Sequence, residues 1–165
     1  MPLQDAARLL GSGETAVCAC LMSMEGGLTG QMLLGFEDAS GLILADLILQ
    51  RAAGTVAVWG EVEESAALET MNIAGSAFLN GIAENLAGRL GRDLSLIPSP
   101  PIFLRDFAES LLQSAFTCQA MDASVLVYAE TSFVLAGQPL LWTFLWIPDS
   151  DSLRHLGLLM DGLRS

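Results

Sequence analysis

Glu69 and Asn72 are the residues of this sequence whose types and spacing are best suited to chemistry. They lie in the stretch 63–91, whose apolar spacing predicts a helix that continues through Gly75 and Gly81. On a helix, residues three apart are neighbours one turn from each other. A carboxylate that accepts hydrogen bonds would then stand beside a carboxamide that both donates and accepts them. Such a pair could form a site that faces outward toward a partner molecule.

The helix that carries this pair has a polar strip and an apolar arc. At about 100° per residue the arc lies behind the strip, so one face can be buried while the other stays exposed. No Lys or Arg occurs between Glu63 and Gly88, although a solvated helix face usually mixes both signs of charge. The strip consists of Ser65, Glu69, Asn72, Ser76 and Asn80, and the arc consists of Ala67, Leu68, Met71, Ala74, Phe78, Leu79 and Ile82.

The polar strip has two interpretations. It can be a solvated face of small residues, with glycines that admit close packing of a neighbouring element. Periodicity alone favours this first interpretation. The alternative is a functional site, because Asn and Ser are mediocre helix formers and a row of them within a helix needs a reason. In the second interpretation Glu69 and Asn72 bind a partner.

Length and charge exclude several classes of protein. The 165 residues suit one domain, which we place at 1–165. Seven arginines, no lysine and 19 acidic residues give a net charge of −12, so we expect neither a nucleic-acid partner nor binding to anionic membranes. The longest apolar runs are far shorter than the roughly 18 residues of a spanning helix, and the N-terminus lacks the features of a signal peptide. We therefore expect a cytoplasmic protein.

The hydrophobic content is high, with 52% hydrophobic residues and a mean hydropathy of +0.51. This predicts either a sheet that is covered on both faces or an oligomer interface. Cys18, Cys20, Cys118 and the single His155 do not supply the ligand set that a zinc ion needs, so we expect the cysteines to be small buried hydrophobes. His155 has no evident Ser or Cys partner, and Asp106 fits a helix cap better than a catalytic acid.

Periodicity also predicts the elements that must position the strip. The order is a short helix, a hairpin, a helix, the helix with the strip, a strand, a helix, a hairpin and a helix, which is an α+β arrangement. The proline-rich segment 98–101 is expected to end a strand and lead into a helix, and 55–60 is either a strand or a packed loop. The helices are expected at 3–10, 37–50, 63–91, 106–116 and 153–163, and the strands at 15–24, 28–36, 93–97, 124–133 and 138–148.

Several single residues have structural roles in this scheme. Asp38 or Ser40 is a candidate cap of the helix at 37–50, and the segment 149–152 is expected to cap the last helix. Trp142 and Trp146 are four residues apart, so they lie on the same face of a strand. An aromatic pair of this kind is typical of a core, and the alternative is a partner interface.

Residues 65–73, SAALETMNI, resemble the signature of the CheC/CheX/FliY phosphatases of bacterial chemotaxis, which is Asp or Ser, three residues, Glu, two residues and Asn. The similarity continues in 75–80, in 99–101 followed by Asp106, and in 145–148, so that it extends from about Val17 to Leu163. The resemblance implies a pseudo-symmetric CheC-like α+β fold with a mixed or antiparallel sheet flanked by helices. A weak internal echo agrees with that layout, because a hairpin followed by a helix occurs at 15–50 and again at 123–163.

The resemblance also implies an activity, the hydrolysis of the aspartyl phosphate of a response regulator such as CheY. Asn72 would orient the attacking water, and Glu69 would pair with a lysine of the regulator. Ser65 and Ser76 would assist docking, while Gly75 and Ser76 would be small enough to let the helix fit a shallow cleft. The protein would need no cofactor of its own, since the Mg²⁺ belongs to the regulator.

A non-catalytic binding module on the same fold is the alternative. It would sequester a phosphorylated regulator, bind a CheD-like deamidase, or dock at the flagellar switch. The presence of both Glu69 and Asn72 favours the phosphatase, whereas the strong acidity and the lack of a second motif leave room for the module.

The sequence departs from the family pattern at three places. Residues 3–14 contain no Glu and Asn at the signature spacing, so only one site is expected. Met71 stands directly before Asn72, where the family commonly has Gly. The N-terminal helix is nearly missing, and we therefore expect a second copy of the chain to cover the exposed groove in a homodimer.

Overall fold

The chain folds around one antiparallel sheet, seen in a computed structural model that describes residues 3–11, 16–90, 95–117, 127–135 and 137–161. The strands within these ranges are β1 (Ala16–Gly26), β2 (Gly30–Glu37), β3 (Leu96–Pro98), β4 (Ile102–Phe107), β5 (Val127–Leu135) and β6 (Gln138–Pro148). Their central order is β1-β2-β6-β5, and β3 and β4 pair with different parts of β1 at one edge. Every pairing in the described ranges is antiparallel. The predicted α+β class with an antiparallel sheet is confirmed.

Helices cover both faces of this sheet. The helices of the described ranges are α1 (Leu3–Leu10), α2 (Asp38–Ile48), α3 (Glu61–Leu90), α4 (Ala108–Thr117) and α5 (Ser150–Asp161). Leu44 of α2 and Ala67, Met71 and Leu79 of α3 are buried in the hydrophobic cluster on one face. The buried side chains of α1 and α4 belong to the cluster on the other face, where the two helices also contact each other. Apolar side chains are therefore buried on both sides of the central strands.

Strand β1 shows how the sequence produces these two clusters. Cys18, Cys20 and Met22 lie in the cluster beneath α2 and α3, whereas the alternate residues Val17 and Ala19 lie in the cluster beneath α1 and α4. Side chains alternate between faces along a strand, so a strand that is covered on both sides must be apolar throughout. This accounts for the high hydrophobic content, and it confirms the first of the two explanations predicted for it. Cys18 and Cys20 are buried free thiols as predicted, while Cys118 lies outside the described residues.

The two predicted hairpins are present and lie side by side. One consists of β1 and β2, the other of β5 and β6, and β2 pairs with β6 at the centre of the sheet. Gly137 joins β5 to β6 with a φ of 79°, a conformation that favours glycine. A helix follows each hairpin, α2 after the first and α5 after the second. The predicted internal echo is therefore a real feature of the fold.

The segment after the prolines differs from the prediction. It leads into strand β4, which the sequence analysis missed, and α4 begins only at Ala108. Asp106 lies within β4 and is not a helix cap, and Phe107 is half exposed on the strand. Antiparallel pairing with β1, from Leu21 opposite Ile102 to Ala16 opposite Phe107, holds the segment extended. Because each paired residue of β1 lies 81 to 91 positions earlier in the chain, no local pattern reveals this pairing.

The predicted helix caps have different outcomes. Neither Asp38 nor Ser40 caps α2, whose capping residue is Glu37 without a side-chain hydrogen bond. At the last helix the prediction is confirmed, because the Ser152 backbone N–H donates to Asp149 Oδ1 over 2.8 Å. The hydrogen bonds from Ser152 and from the Thr29 hydroxyl outweigh the opposing effect of burial and lower the pKa of Asp149.

The stretch 55–60 and the two tryptophans of β6 each had two possible interpretations in the sequence. The stretch 55–60 forms no strand and is a loop. Trp142 and Trp146 share one face of β6 and pack in the cluster beneath α2 and α3, which confirms their place in the core. In the described part of the chain, no helix is both long enough and apolar enough to cross a membrane.

Candidate functional site

Helix α3 begins two residues before the predicted helix and continues to Leu90, for 30 residues. Its first turn contains Glu61, Glu63 and Glu64, whose charges complement the positive end of the helix dipole. The backbone N–H of Glu64 donates to the Gly60 carbonyl over 3.0 Å and so starts the hydrogen-bonding pattern. The predicted helix at 63–91 is thereby confirmed for every position that the structure describes.

The apolar arc of α3 packs against the sheet as predicted. Ala67, Met71 and Leu79 are almost completely buried in the cluster on this face, and the other members of the arc are partly buried against it. The ring of Phe78 lies 4.4 Å from that of Phe144, measured between centroids. Apolar contact along the full arc fixes the rotation of the helix about its axis, so the direction in which the opposite face points is also fixed.

Gly75 allows α3 to approach the sheet closely. A Cβ atom at this position would lie 3.2 Å from the Met22 sulfur. The expectation that Gly75 gives a partner room beside the strip is therefore wrong, because this glycine faces the core. Gly81, by contrast, has nothing within 4 Å of such a Cβ. Gly75 thus admits close packing of a neighbouring element, as the first interpretation of the polar strip proposed, whereas Gly81 faces open space.

The polar strip points away from the protein. Ser65, Glu69, Asn72 and Asn80 are exposed, and Ser76 is half-buried. The Ser65 hydroxyl donates to the Glu61 carbonyl of its own helix over 2.7 Å. Among the described residues, neither the Glu69 carboxylate nor the Asn72 carboxamide has a hydrogen-bond or ion-pair partner. Both groups are therefore available to an incoming molecule, one turn apart on a rigid helix.

Two apolar residues on the same exposed face escaped the sequence analysis. Ile73 is 65% exposed and Val62 is 51% exposed. At about 100° per residue, both fall within roughly 20° to 40° of Glu69 around the helix axis. The spacing therefore contained the signal, although a pattern of polar residues does not include them. The exposed face of α3 thus combines one carboxylate, small polar groups and exposed aliphatic side chains.

An ion pair fixes the first turn of α3. Arg51, in the loop before the helix, donates from Nη1 to Glu63 Oε1 over 2.6 Å. Glu63 is nearly buried within that first turn. The hydrogen bond from Arg51 holds the pKa of Glu63 below its ordinary value. The loop is thus tied to the helix at the point where the helix begins.

A second network centres on Asp38, in the first turn of α2. Its carboxylate accepts hydrogen bonds from Arg105 Nε at 2.7 Å and Nη2 at 2.9 Å, from Trp59 Nε1 at 2.9 Å and from the Cys18 thiol at 3.1 Å. The bidentate bond from Arg105 is the main reason why the pKa of Asp38 is lowered. Burial is the main reason why the pKa of Cys18 is raised. One carboxylate thereby joins β1, α2, β4 and the loop before α3.

Trp59 connects the hydrogen-bond network of Asp38 to the start of α3. Its indole ring packs on Phe103, with centroids 4.8 Å apart, and lies so close to Gly41 that a Cβ there would be 2.8 Å from the ring. Gly60 follows Trp59 directly, and α3 begins at the next residue. Hydrogen bonding and packing therefore position the N-terminal end of the helix.

The remaining part of the loop depends on Asp46, which is completely buried near the end of α2. Its Oδ2 accepts hydrogen bonds from the backbone N–H groups of Thr55 at 2.8 Å and Val56 at 3.2 Å. The Asp46 carbonyl also accepts the N–H of Arg51 over 2.7 Å. These contacts hold the loop against α2, so Arg51 is placed where it can reach the first turn of α3.

The other residues considered for chemistry do not gather into a site. His155 is exposed on α5, and Asp106 is exposed on β4. Within the described ranges, no group of three or more His, Cys, Asp or Glu residues is arranged to hold a metal ion. The strip on α3 is therefore the strongest candidate site in the part of the chain that can be described.

Comparison with known proteins identifies the fold. No family model matches the sequence, and no curated protein sequence matches it. Among solved structures, FliY of Thermotoga maritima matches with a TM-score of 0.60 and 17% identity, over 95% of this chain and 76% of that chain. A chain of the CheX-CheY-BeF3-Mg²⁺ complex from Borrelia burgdorferi matches with a TM-score of 0.50 and 12% identity, over 90% of this chain and 96% of that one. The protein therefore has a CheC/CheX/FliY-like fold.

Proposed function

We propose that this protein binds a phosphorylated response regulator of the CheY type through the exposed face of α3 and hydrolyses its aspartyl phosphate in the cytoplasm. The observation that carries this proposal is that Glu69 and Asn72 lie one turn apart, exposed and without a partner among the described residues. The likeness to a structure of CheX in complex with CheY supports the choice of partner.

The proposed hydrolysis of the acyl phosphate needs few functional groups from this protein. An acyl phosphate is already activated, and the metal of the regulator neutralises its charge. What remains is to place a water molecule in line with the bond that breaks, which a hydrogen bond from the Asn72 carboxamide can do. Holding that water in a reactive position can lower the barrier by several kcal/mol. The amide is neutral, so it does not repel the phosphoryl group as a carboxylate would.

Glu69 has a different role. Its carboxylate would pair with a lysine of the regulator and so set the position of α3 over the phosphoryl group. Ser65 already donates its hydroxyl hydrogen to its own helix, so we assign it the role of a small residue that allows close docking. Ser76, half-buried at the edge of the strip, would contribute in the same way. The protein itself would hold no metal, and Mg²⁺ would come with the regulator.

A non-catalytic module is the second candidate. The exposed Ile73 and Val62 favour it, since they add binding surface without adding chemistry. Such a module would sequester the phosphorylated regulator, or it would bind a CheD-like deamidase or a component of the flagellar switch. The homodimer expected from the sequence stays a prediction, and sedimentation of the purified protein tests it.

Turnover distinguishes the two candidates. A phosphorylated receiver domain is mixed with one-tenth of its concentration of this protein, and the loss of acyl phosphate is followed. A phosphatase accelerates the decay of the whole receiver pool, because each molecule acts repeatedly. A sequestering module leaves the decay unchanged or slows it for the bound fraction only, while binding is still measurable.

A further inference from the structure

We propose that Ile73 is the apolar anchor for the receiver domain and sets the affinity of the complex. The inference rests on the proposed function, because it names the contact by which the same site holds its partner. Single exposed aliphatic side chains are common on protein surfaces. Ile73 differs from the others through its place next to the two candidate functional groups.

Ile73 lies on α3 next to both candidate functional groups. It follows Asn72 directly and lies one turn after Glu69, on the exposed face of the helix. With 65% of its surface exposed, it is the most exposed large aliphatic residue of α3 among those described. Ile73 lies about 40° from Glu69 around the helix axis, so a partner that brings a lysine to Glu69 comes within reach of this side chain. A contact between Ile73 and the receiver is therefore compatible with the proposed docking at Glu69 and Asn72.

The charges of the two proteins favour an apolar contact between them. The chain carries a net charge of −12, and a phosphorylated receiver presents an anionic site. Long-range attraction cannot favour their encounter. Glu69 offers one ion pair, and an ion pair at an exposed site adds little affinity. Burial of apolar surface does not depend on charge, so the receiver should present an apolar patch beside its lysine.

Core contacts hold the part of α3 that carries Ile73. Met71 is fully buried, Ala74 packs against the same cluster, and Gly75 is so close to the core that an added Cβ atom would lie 3.2 Å from the Met22 sulfur. The backbone at Ile73 is thus held on both sides by core contacts. A β-branched side chain on a helix also has one strongly preferred rotamer. The anchor therefore loses little conformational freedom on binding, which is typical of residues that contribute strongly to affinity.

Two variants and a control test this role. Ile73→Ser removes the apolar group with little effect on the helix, since the two residues have similar helix propensities. Ile73→Leu keeps an apolar group of similar size. Ile97→Ser is the control, because Ile97 is 60% exposed but lies on β3. Its neighbour Leu96 packs beneath α3, so Ile97 points to the opposite face of the sheet.

The measurements are the Kd for a receiver treated with BeF3⁻ and Mg²⁺, which mimics the phosphorylated state, and the kcat and KM for acyl-phosphate hydrolysis. We expect Ile73→Ser to raise Kd and KM about tenfold with kcat unchanged, which is the effect of a moderate interface hot spot. Ile73→Leu should restore affinity to within about threefold of the original, and Ile97→Ser should change nothing.

Each result decides one claim. If wild type hydrolyses the acyl phosphate and Ile73→Ser has the same KM, the anchor is refuted and the proposed function stands. If Ile73→Ser weakens binding but no variant accelerates the decay, the anchor stands and the phosphatase is refuted. Failure of the wild-type protein to bind any receiver overturns both.

Discussion

Met71 and Asn72 are adjacent in the sequence but occupy opposite environments, since Met71 is completely buried and Asn72 is exposed. The rotation of about 100° between successive helical residues separates them. Met71 packs in the cluster beneath α3, so the residue that precedes the candidate catalytic amide also fixes its direction. The methionine in place of the expected glycine is thus part of the support for the site.

The two central glycines of α3 should respond in opposite ways to substitution. A Cβ atom added at Gly81 would meet open space, so Gly81→Ala should raise the free energy of unfolding by about 0.5–1 kcal/mol through helix propensity. Gly75→Leu should lower it by about 1–3 kcal/mol, because the added side chain collides with Met22. Urea denaturation of both variants tests this contrast. A stabilised Gly75→Leu variant would show that α3 does not pack closely on the sheet.

Asp46 should be essential for the loop before α3. Asp46→Ala removes the acceptor of the Thr55 and Val56 amides, and we expect a loss of about 1–3 kcal/mol of unfolding free energy. Asp46→Asn keeps an oxygen in the same place and is the matched control. Hydrogen exchange should show faster exchange at both amides in the alanine variant only. Equal protection in both variants would mean that the loop is held by other contacts.

The pair of Asp38 and Arg105 should make stability depend on pH. Because Arg105 lowers the pKa of Asp38 in the folded state, ionised Asp38 stabilises the protein above the unfolded pKa of about 3.9. That contribution is lost as the pH falls through the lower folded-state value. Arg105 is half exposed, so the contribution should be about 1 kcal/mol or less.

Arg105→Gln separates this pair from other carboxylates. The urea midpoint of the variant should lie below that of the wild-type protein at pH 7, and the two should converge as the pH falls through the lowered folded-state pKa of Asp38. Parallel pH profiles, with the same difference at every pH, would show that Arg105 acts through packing and not through the charge of Asp38.

Local sequence patterns predict helix α3 and its polar strip, but they do not predict the contacts that hold this helix in place. The 3.6-residue period separates Glu69 and Asn72 from Met71 and Leu79 because the helix has one buried and one exposed side along most of its length. The resemblance of residues 65–73 then suggests what the exposed groups do. Ile73 is missed because an apolar residue does not belong to a pattern defined by polar side chains.

The contacts that position α3 join parts of the chain that are distant in sequence. Asp38 has the sequence position of a helix cap, yet its main partner Arg105 is 67 residues away. The sequence pattern does not predict strand β4, because Ile102, Phe103 and Leu104 are all apolar and show no alternation. Two charged residues follow them directly. Its extended conformation results from pairing with β1, and tertiary pairing of this kind overrides local preference.

The most direct test of the central claim is the decay of a phosphorylated receiver domain with wild-type protein, with Asn72→Ala and with Asn85→Ala. Asn85 is an exposed asparagine of α3 whose amide donates to the Gly81 carbonyl of its own helix, so it is the matched control. We predict that the wild-type protein and Asn85→Ala accelerate the decay equally, and that Asn72→Ala loses at least about a hundredfold of that acceleration, as expected when a water-positioning group is removed. Equal acceleration by all three proteins would contradict the assignment of Asn72.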